Sequence, residues 1–175
     1  MACLRYSQSV TEACRDAQPG VTKIFIGNYS DITSYSLDTA GTSITGLTLT
    51  GSTKFYEVAQ NKQVASFIDT PTINLQNGVA ISKPKVSFKV QGLTSTTLQM
   101  YKELMQADVA VVVKTIDGQL YGVGFANGLS MSVGTLGSEA QVDGFIGASF
   151  ELEGIEASPF YIIAPTLNFE SSFVA

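Results

Sequence analysis

Histidine and tryptophan are both absent from this chain of 175 residues. Without histidine no Ser-His-Asp or Cys-His nucleophile can be assembled, and the commonest general base near neutral pH is missing. Cysteine occurs only as Cys3 and Cys14. The two either remain thiols or close one small N-terminal loop, and with no histidine beside them they make no zinc site. Charged residues are 14 % of the chain, a thin supply for a small protein that must hold its whole surface in water, so part of that surface is expected to be covered. No run of about 18 apolar residues is present to cross a membrane. The opening MACLRYSQSVTEACRD has no apolar stretch behind its positive charge and does not read as a secretory signal. Basic residues also run out along the chain. Residues 1–114 hold ten Lys and Arg against eight Asp and Glu, a net of +2, whereas residues 115–175 hold none against seven, a net of −7. The final third is purely acidic, which argues against a protein that grips nucleic-acid phosphates.

Hydrophobic residues make up 45 % of the chain, with 16 Gly, 10 Phe and 7 Tyr, a mixture that favours strands and turns over helices. The length fits one domain with a self-sufficient core. A first strand is expected at residues 23–29, and SITGLTLT (43–50) is expected to form a hairpin with KFYEVA (54–59) across a short Gly-Ser-Thr loop. Residues 64–68 read as a further strand, and Asn77-Gly78 as a hairpin turn. Lys83-Pro84 marks an edge or a kink before a strand from Lys85 to Val90, in which Val86, Phe88 and Val90 share one face. One helix is expected, at about 96–106, with Leu98, Tyr101, Leu104 and Met105 as its apolar stripe and Thr96 with Gln99 as a capping box.

ADVAVVVKTI (107–116) is apolar on both faces, so the hairpin it forms with residues 119–125 is expected to be central. A two-residue Asp117-Gly118 turn would set Val112 opposite Val123. Leu129, Met131 and Val133 alternate in the next strand, and a long acidic strand follows over residues 142–155. In that strand Ala148, Phe150 and Leu152 take one face, and Ser149, Glu151 and Glu153 the other. Residues 1–20 and 158–175 read as extended terminal arms. The fold class is therefore mainly β: an antiparallel sandwich or partly closed barrel of eight to ten strands, flanked by one helix.

Chemistry is sparse. Glu151, Glu153 and Glu156 are the carboxylates available for acid and base work on a glycoside, but Glu151 and Glu153 stand side by side about 7 Å apart on one strand, with no Trp platform for a sugar. They are better read as a solvated or interfacial acidic face. GVGFANG and GTLGS lack the spacing and the Lys of phosphate-binding loops. No catalytic, cofactor or metal site is expected. Lys83, Lys85 and Lys89 alternate with apolar residues as the glutamates do. The two sets either pair across neighbouring strands of one sheet or meet across a subunit boundary.

Four segments together carry a resemblance: KFYEVAQNKQVASFIDT, the Asn77-Gly78 hairpin, the helix leading into ADVAVVVKTIDGQLYGVG, and ANGLSMSVGTLGSEAQVDGFIGASFELEGIEASPF. With the N-terminal MACLRYSQSVTEAC, the chain resembles virion proteins of tailed phages and prophages of Bacteroidetes, and more broadly the tail tube proteins of long-tailed phages. One departure stands out. Small residues replace the aromatic and charged pattern expected near the acidic strand, which puts the identity of the subunit contacts in question.

The resemblance implies a β-sandwich with one flanking helix, six copies of which close a ring around a continuous inner barrel. Rings would stack into a tube, with loops or arms reaching between them, in a virion tail built in the host bacterial cytoplasm. Its partners would be copies of itself, other tail proteins at the tube ends, and double-stranded DNA passing without specific binding. On this reading Ser149, Glu151 and Glu153 face an acidic lumen, and Lys83, Lys85, Lys89, Phe160 and Tyr161 are candidate inter-subunit residues. Acidity would suit a conduit, since duplex DNA carries one charge per about 1.7 Å and lysines would hold it. The alternatives are a tail terminator or connector ring, or a carbohydrate-binding or adhesin sandwich at the virion surface.

Overall fold

The computed structural model describes residues 20–60, 64–74, 76–138 and 144–175. Cys3, Cys14, nearly all of the expected N-terminal arm and the start of the expected acidic strand lie outside them. The strands are β1 (Val21–Asn28), β2 (Ile32–Leu37), β3 (Ser43–Leu49), β4 (Tyr56–Val58), β5 (Ser66–Asp69), β6 (Thr72–Asn74), β7 (Val79–Ile81) and β8 (Pro84–Gln91). After the helix α1 (Ser95–Leu104) come β9 (Val109–Thr115), β10 (Leu120–Val123), β11 (Ser130–Ser138), β12 (Ile146–Glu153) and β13 (Tyr161–Ile163), and the chain ends in a short α2 (Phe169–Phe173).

These strands form a seven-stranded sheet in the order β2-β3-β13-β10-β9-β1-β4, a four-stranded sheet in the order β11-β12-β8-β5, and a separate β6-β7 ribbon. The mainly antiparallel sandwich with a flanking helix is thus the observed class, and β13 with β3 is the parallel exception. The core lies between the sheets. Ile24, Ile26, Val111 and Val113 of the large sheet meet Val86, Phe88, Phe150 and Leu152 of the small one, and Leu104 of α1 closes the same cluster.

The central hairpin is buried as its sequence demands: Val109 to Val113 are each at most 2 % exposed. Its register differs from the expected one. Val112 lies opposite Gly122, and Val123 opposite Val111. The loop has three residues, because the Thr115 amide bonds to the Gln119 carbonyl (2.9 Å) and the Gly118 amide to the Thr115 carbonyl (3.0 Å). Gly118 supplies the positive φ of 84° that such a loop needs at its last position. One added residue moves each cross-strand partner by one position.

Alternation along β1 divides its apolar residues between two environments. Ile24 and Ile26 face the small sheet, while Phe25 faces a second cluster with Ile44, Phe55, Val112, Phe125, Tyr161 and Phe169. The large sheet is therefore covered on both sides. Residues 158–175, read from the sequence as an arm, do the covering. β13 is inserted between β3 and β10, and α2 places Phe169 against Phe25 and Phe55 at ring-centroid distances of 5.8 and 5.1 Å. The arm docks on its own chain because Tyr161, Ile163, Phe169 and Phe173 supply the apolar lid that this face otherwise lacks.

Two further expectations are corrected by the pairing. β3 does not form a hairpin with residues 54–59. It pairs with β2 and β13, and β4 crosses to pair with β1. The helix is capped two residues earlier than expected: the Thr94 hydroxyl, not that of Thr96, accepts from the Thr97 amide (3.2 Å). Its packed side consists of Thr97, Met100, Tyr101 and Leu104, while Leu98 and Met105 are 43 and 60 % exposed.

Candidate functional surface on the four-stranded sheet

The small sheet has one dry face and one wet face, because β12 alternates strictly. Ala148, Phe150 and Leu152 are fully buried, and Ser149, Glu151 and Glu153 point away from the core as their spacing predicts. β12 lies between β11 and β8. Glu153 is opposite Lys85, Glu151 opposite Ser87, and Ser149 opposite Lys89.

The acidic strand, which has no base near it in sequence, therefore has two beside it in space. The Lys85 ammonium lies 2.7 Å from Glu151 and 3.6 Å from Glu153. The hydrogen bond that Lys85 donates to Glu151 holds the lysine above its usual pKa, against a smaller opposing effect of desolvation. On the outward side of β8 and β12 two lysines, Lys85 and Lys89, stand against two glutamates. Lys89 lies over the Phe145 ring at 5.3 Å, a cation–π geometry. Hydroxyls and two exposed aliphatic side chains fill the rest: Ser66 and Ser87 bond at 2.8 Å, Thr135 bonds Ser149, and Val133 and Ile68 lie opposite Glu151 and Lys85. Lys83, exposed at the foot of β8, lines a shallow groove with Thr70, Lys85, Glu153 and Ile155.

Phe160 and Tyr161 stand elsewhere. Phe160 is half-buried and meets Phe67 and Tyr121 edge-on at 5.3 and 5.6 Å. Tyr161 is only 5 % exposed, with its ring 6.0 Å from Tyr35. As an inter-subunit side chain Tyr161 is corrected: β13 is an interior strand of the large sheet, so its inward residues serve the chain's own core. Glu156 is separated from the other two glutamates as well, buried at 2 % exposure where the two sheets join.

The edges of the small sheet are a feature that residue-by-residue reading did not find. β11 is nine residues long and carries no charge, and among the described strands it pairs with β12 alone. Val133 within it is 50 % exposed and Leu136 37 %. At the opposite edge, β5 has Ile68 58 % exposed. The signal was present in SMSVGTLGS, which lacks the Lys, Asp or Pro by which an edge strand normally resists pairing. The edges of the large sheet are blunted: β4 has three residues, with Glu57 bonded to Lys23 at 3.0 Å, and β2 carries two register irregularities.

No group of three or more metal-ligating side chains is gathered among the described residues. The surface offers strand edges, hydroxyls and neutralised ion pairs, an arrangement suited to strand pairing and contact. Comparison with protein-family models, with curated proteins and with solved structures gives no match.

Proposed function

We propose that this chain is a structural subunit that joins copies of itself into closed rings through its four-stranded sheet, as the wall of a phage tail tube through which double-stranded DNA passes. The observation that carries this reading is the long, uncharged strand β11, which stands at the margin of the small sheet and pairs with β12 alone among the described strands. An open edge of this kind adds a strand wherever a suitable partner exists. The partner is available on the next copy. Each neighbouring pair in the order β11-β12-β8-β5 is antiparallel, so β11 of one copy and β5 of the next run antiparallel when the sheet continues from subunit to subunit. The small number of charged residues fits a surface largely covered by such contacts, and an obligate interface of this class buries more than about 2,000 Å².

In such a ring the covered face of the small sheet points outward and its wet face lines the channel. That wall is rich in hydroxyls and balanced in charge, not the purely acidic wall expected from sequence. Glu151 and Glu153 keep Lys85 engaged, so it is less free to release counterions from a passing phosphate backbone. The ribbon is the natural contact between stacked rings. Ile73 and Val79 on it are 65 and 44 % exposed, residues 70–82 carry no charge, and a lone two-stranded ribbon is marginally stable in water. A terminator or connector ring at the tube end uses the same edges. Other tail proteins would meet the stack at its ends.

The test is light scattering and negative-stain microscopy of the concentrated protein, wild type and Val133→Lys with Leu136→Lys. Rings or tubes from the wild type, and a folded monomer from the double variant, are the expected result. A wild-type monomer that binds glycans would replace this reading with a surface-binding module.

A further inference from the structure

Among the described residues, Glu156 is the one buried carboxyl, and neither sheet face explains it. It stands in the connection from β12 to β13, and three other segments converge on it. Its carboxylate accepts from the Ala126 and Asn127 amides, both at 3.2 Å, in the crossover that leads from the large sheet to the small one. Its backbone exchanges two hydrogen bonds with Ser82, at 2.8 and 2.9 Å. Ser82, 5 % exposed, donates its hydroxyl to Asp69. Asp69 ends β5 and Ser82 follows β7, so the pair forms the two sides of the ribbon's foot. Asn127 closes the junction by donating to the Ile155 carbonyl at 2.7 Å.

We propose that Asp69 and Glu156 form a latch at the foot of the β6-β7 ribbon that tightens on protonation, so that acidification strengthens the hold on the ribbon and a rise in pH loosens it. The two carboxyls approach one junction with Ser82 between them, and neither has a cation among its bonded partners there. A proton on Glu156 removes a buried charge and its repulsion with Asp69, while the carbonyl oxygen can still accept from the crossover amides. The direction of titration agrees. Burial pushes the Glu156 carboxyl above its ordinary 4.5, the two amide bonds oppose the rise, and Asp69 adds to it.

The folded chain therefore keeps this proton to higher pH than the unfolded chain does. The stabilisation is present at low pH and is lost as pH climbs from about 4.5 through the raised value. Other groups facing Glu156 do not reverse that sign. Tyr35 on β2, pushed up to about 12 chiefly by burial, stays neutral over the window, and Tyr29 is engaged with the Ala126 carbonyl at 2.5 Å. Lys83, Lys85 and Glu153 lie in the adjoining groove.

The test measures hydrogen exchange at the Ser82 and Glu156 amides, corrected for the intrinsic pH dependence, together with the melting temperature between pH 5 and 7.5. Wild type is expected to show greater protection at pH 5 and a Tm that falls by about a few degrees towards pH 7.5. Glu156→Gln keeps an acceptor oxygen without the charge, so its protection and Tm should be flat across the window. Asp69→Asn should reduce the wild-type slope. A wild-type slope that persists in Glu156→Gln, an unchanged slope in Asp69→Asn, or a Glu156→Gln chain that does not fold would each overturn the latch. None of these outcomes depends on whether rings assemble.

Discussion

The two sheets of this protein solve the same problem to different extents. The seven-stranded sheet is complete within one chain: the small sheet covers one face, the C-terminal segment covers the other, and its edge strands are short or irregular. The four-stranded sheet buries only its inner face, and its nine-residue uncharged margin pairs with β12 alone among the described strands. A sheet finished on both sides and at both edges holds the monomer together. One finished only on a single face has surface left to share, and it is there that assembly is proposed.

The strongest way to break this contrast is to uncover the far face of the large sheet. Phe169→Ala removes a ring that is 2 % exposed and packed on Phe25, Phe55 and Phe173. A loss of about 3–5 kcal/mol in chemical denaturation is expected, as for other buried aromatics. If the loss is far smaller, the C-terminal segment is an arm after all.

A smaller effect should come from disturbing the join inside the small sheet. Gly147 has a φ of 154°, and a methyl group there would lie 2.2 Å from the Val90 carbonyl oxygen, where β12 passes β8. Gly147→Ala is expected to cost about 1–3 kcal/mol through overpacking, with amide protection lost first along β8 and β12. Equal loss across both sheets would show that they unfold as one unit and would weaken the distinction drawn here.

The same substitution placed in each sheet sharpens the comparison further. Val112→Thr puts a hydroxyl into a strand buried on both faces and should cost about 1–3 kcal/mol. Val133→Thr, at a residue 50 % exposed on the open edge, should change stability by no more than about 0.5 kcal/mol. Urea titration of the two variants side by side reads the difference directly.

Much of the fold was legible because it depends on local periodicity. The alternation of Val86 and Phe88, and of Ala148, Phe150 and Leu152, identifies a dry face in β8 and β12 whatever they pair with. The unbroken apolar run around Val111 likewise requires burial on both sides. Partner choice was less legible. β3 could equally have followed its chain neighbour, and it was drawn instead to β2 and β13, because pairing energy depends on which apolar faces are brought together in space. The hairpin register failed for a local reason, since Asp117-Gly118 is compatible with both two- and three-residue loops.

At the candidate surface the division is sharper. Sequence identified Glu151 and Glu153 as outward-facing, and it offered Lys85 both as a cross-strand partner and as a boundary residue. The fold decided that Lys85 pairs with both carboxylates within one chain and that Lys89 stands on the same face, so two lysines of β8 balance the two glutamates of β12. Tyr161 went the other way, from expected contact to core residue, because β13 found a place inside the large sheet.

By itself, then, the sequence determined which residues must leave water, which strands have two dry faces and which have one, and that no histidine-based chemistry is open to this chain. These follow from side-chain chemistry and from a backbone that alternates its faces. Only the tertiary structure decided which strands became neighbours, which charges were neutralised, and which edge was left open. Those outcomes rest on contacts between residues distant along the chain, and no local pattern encodes how such segments meet.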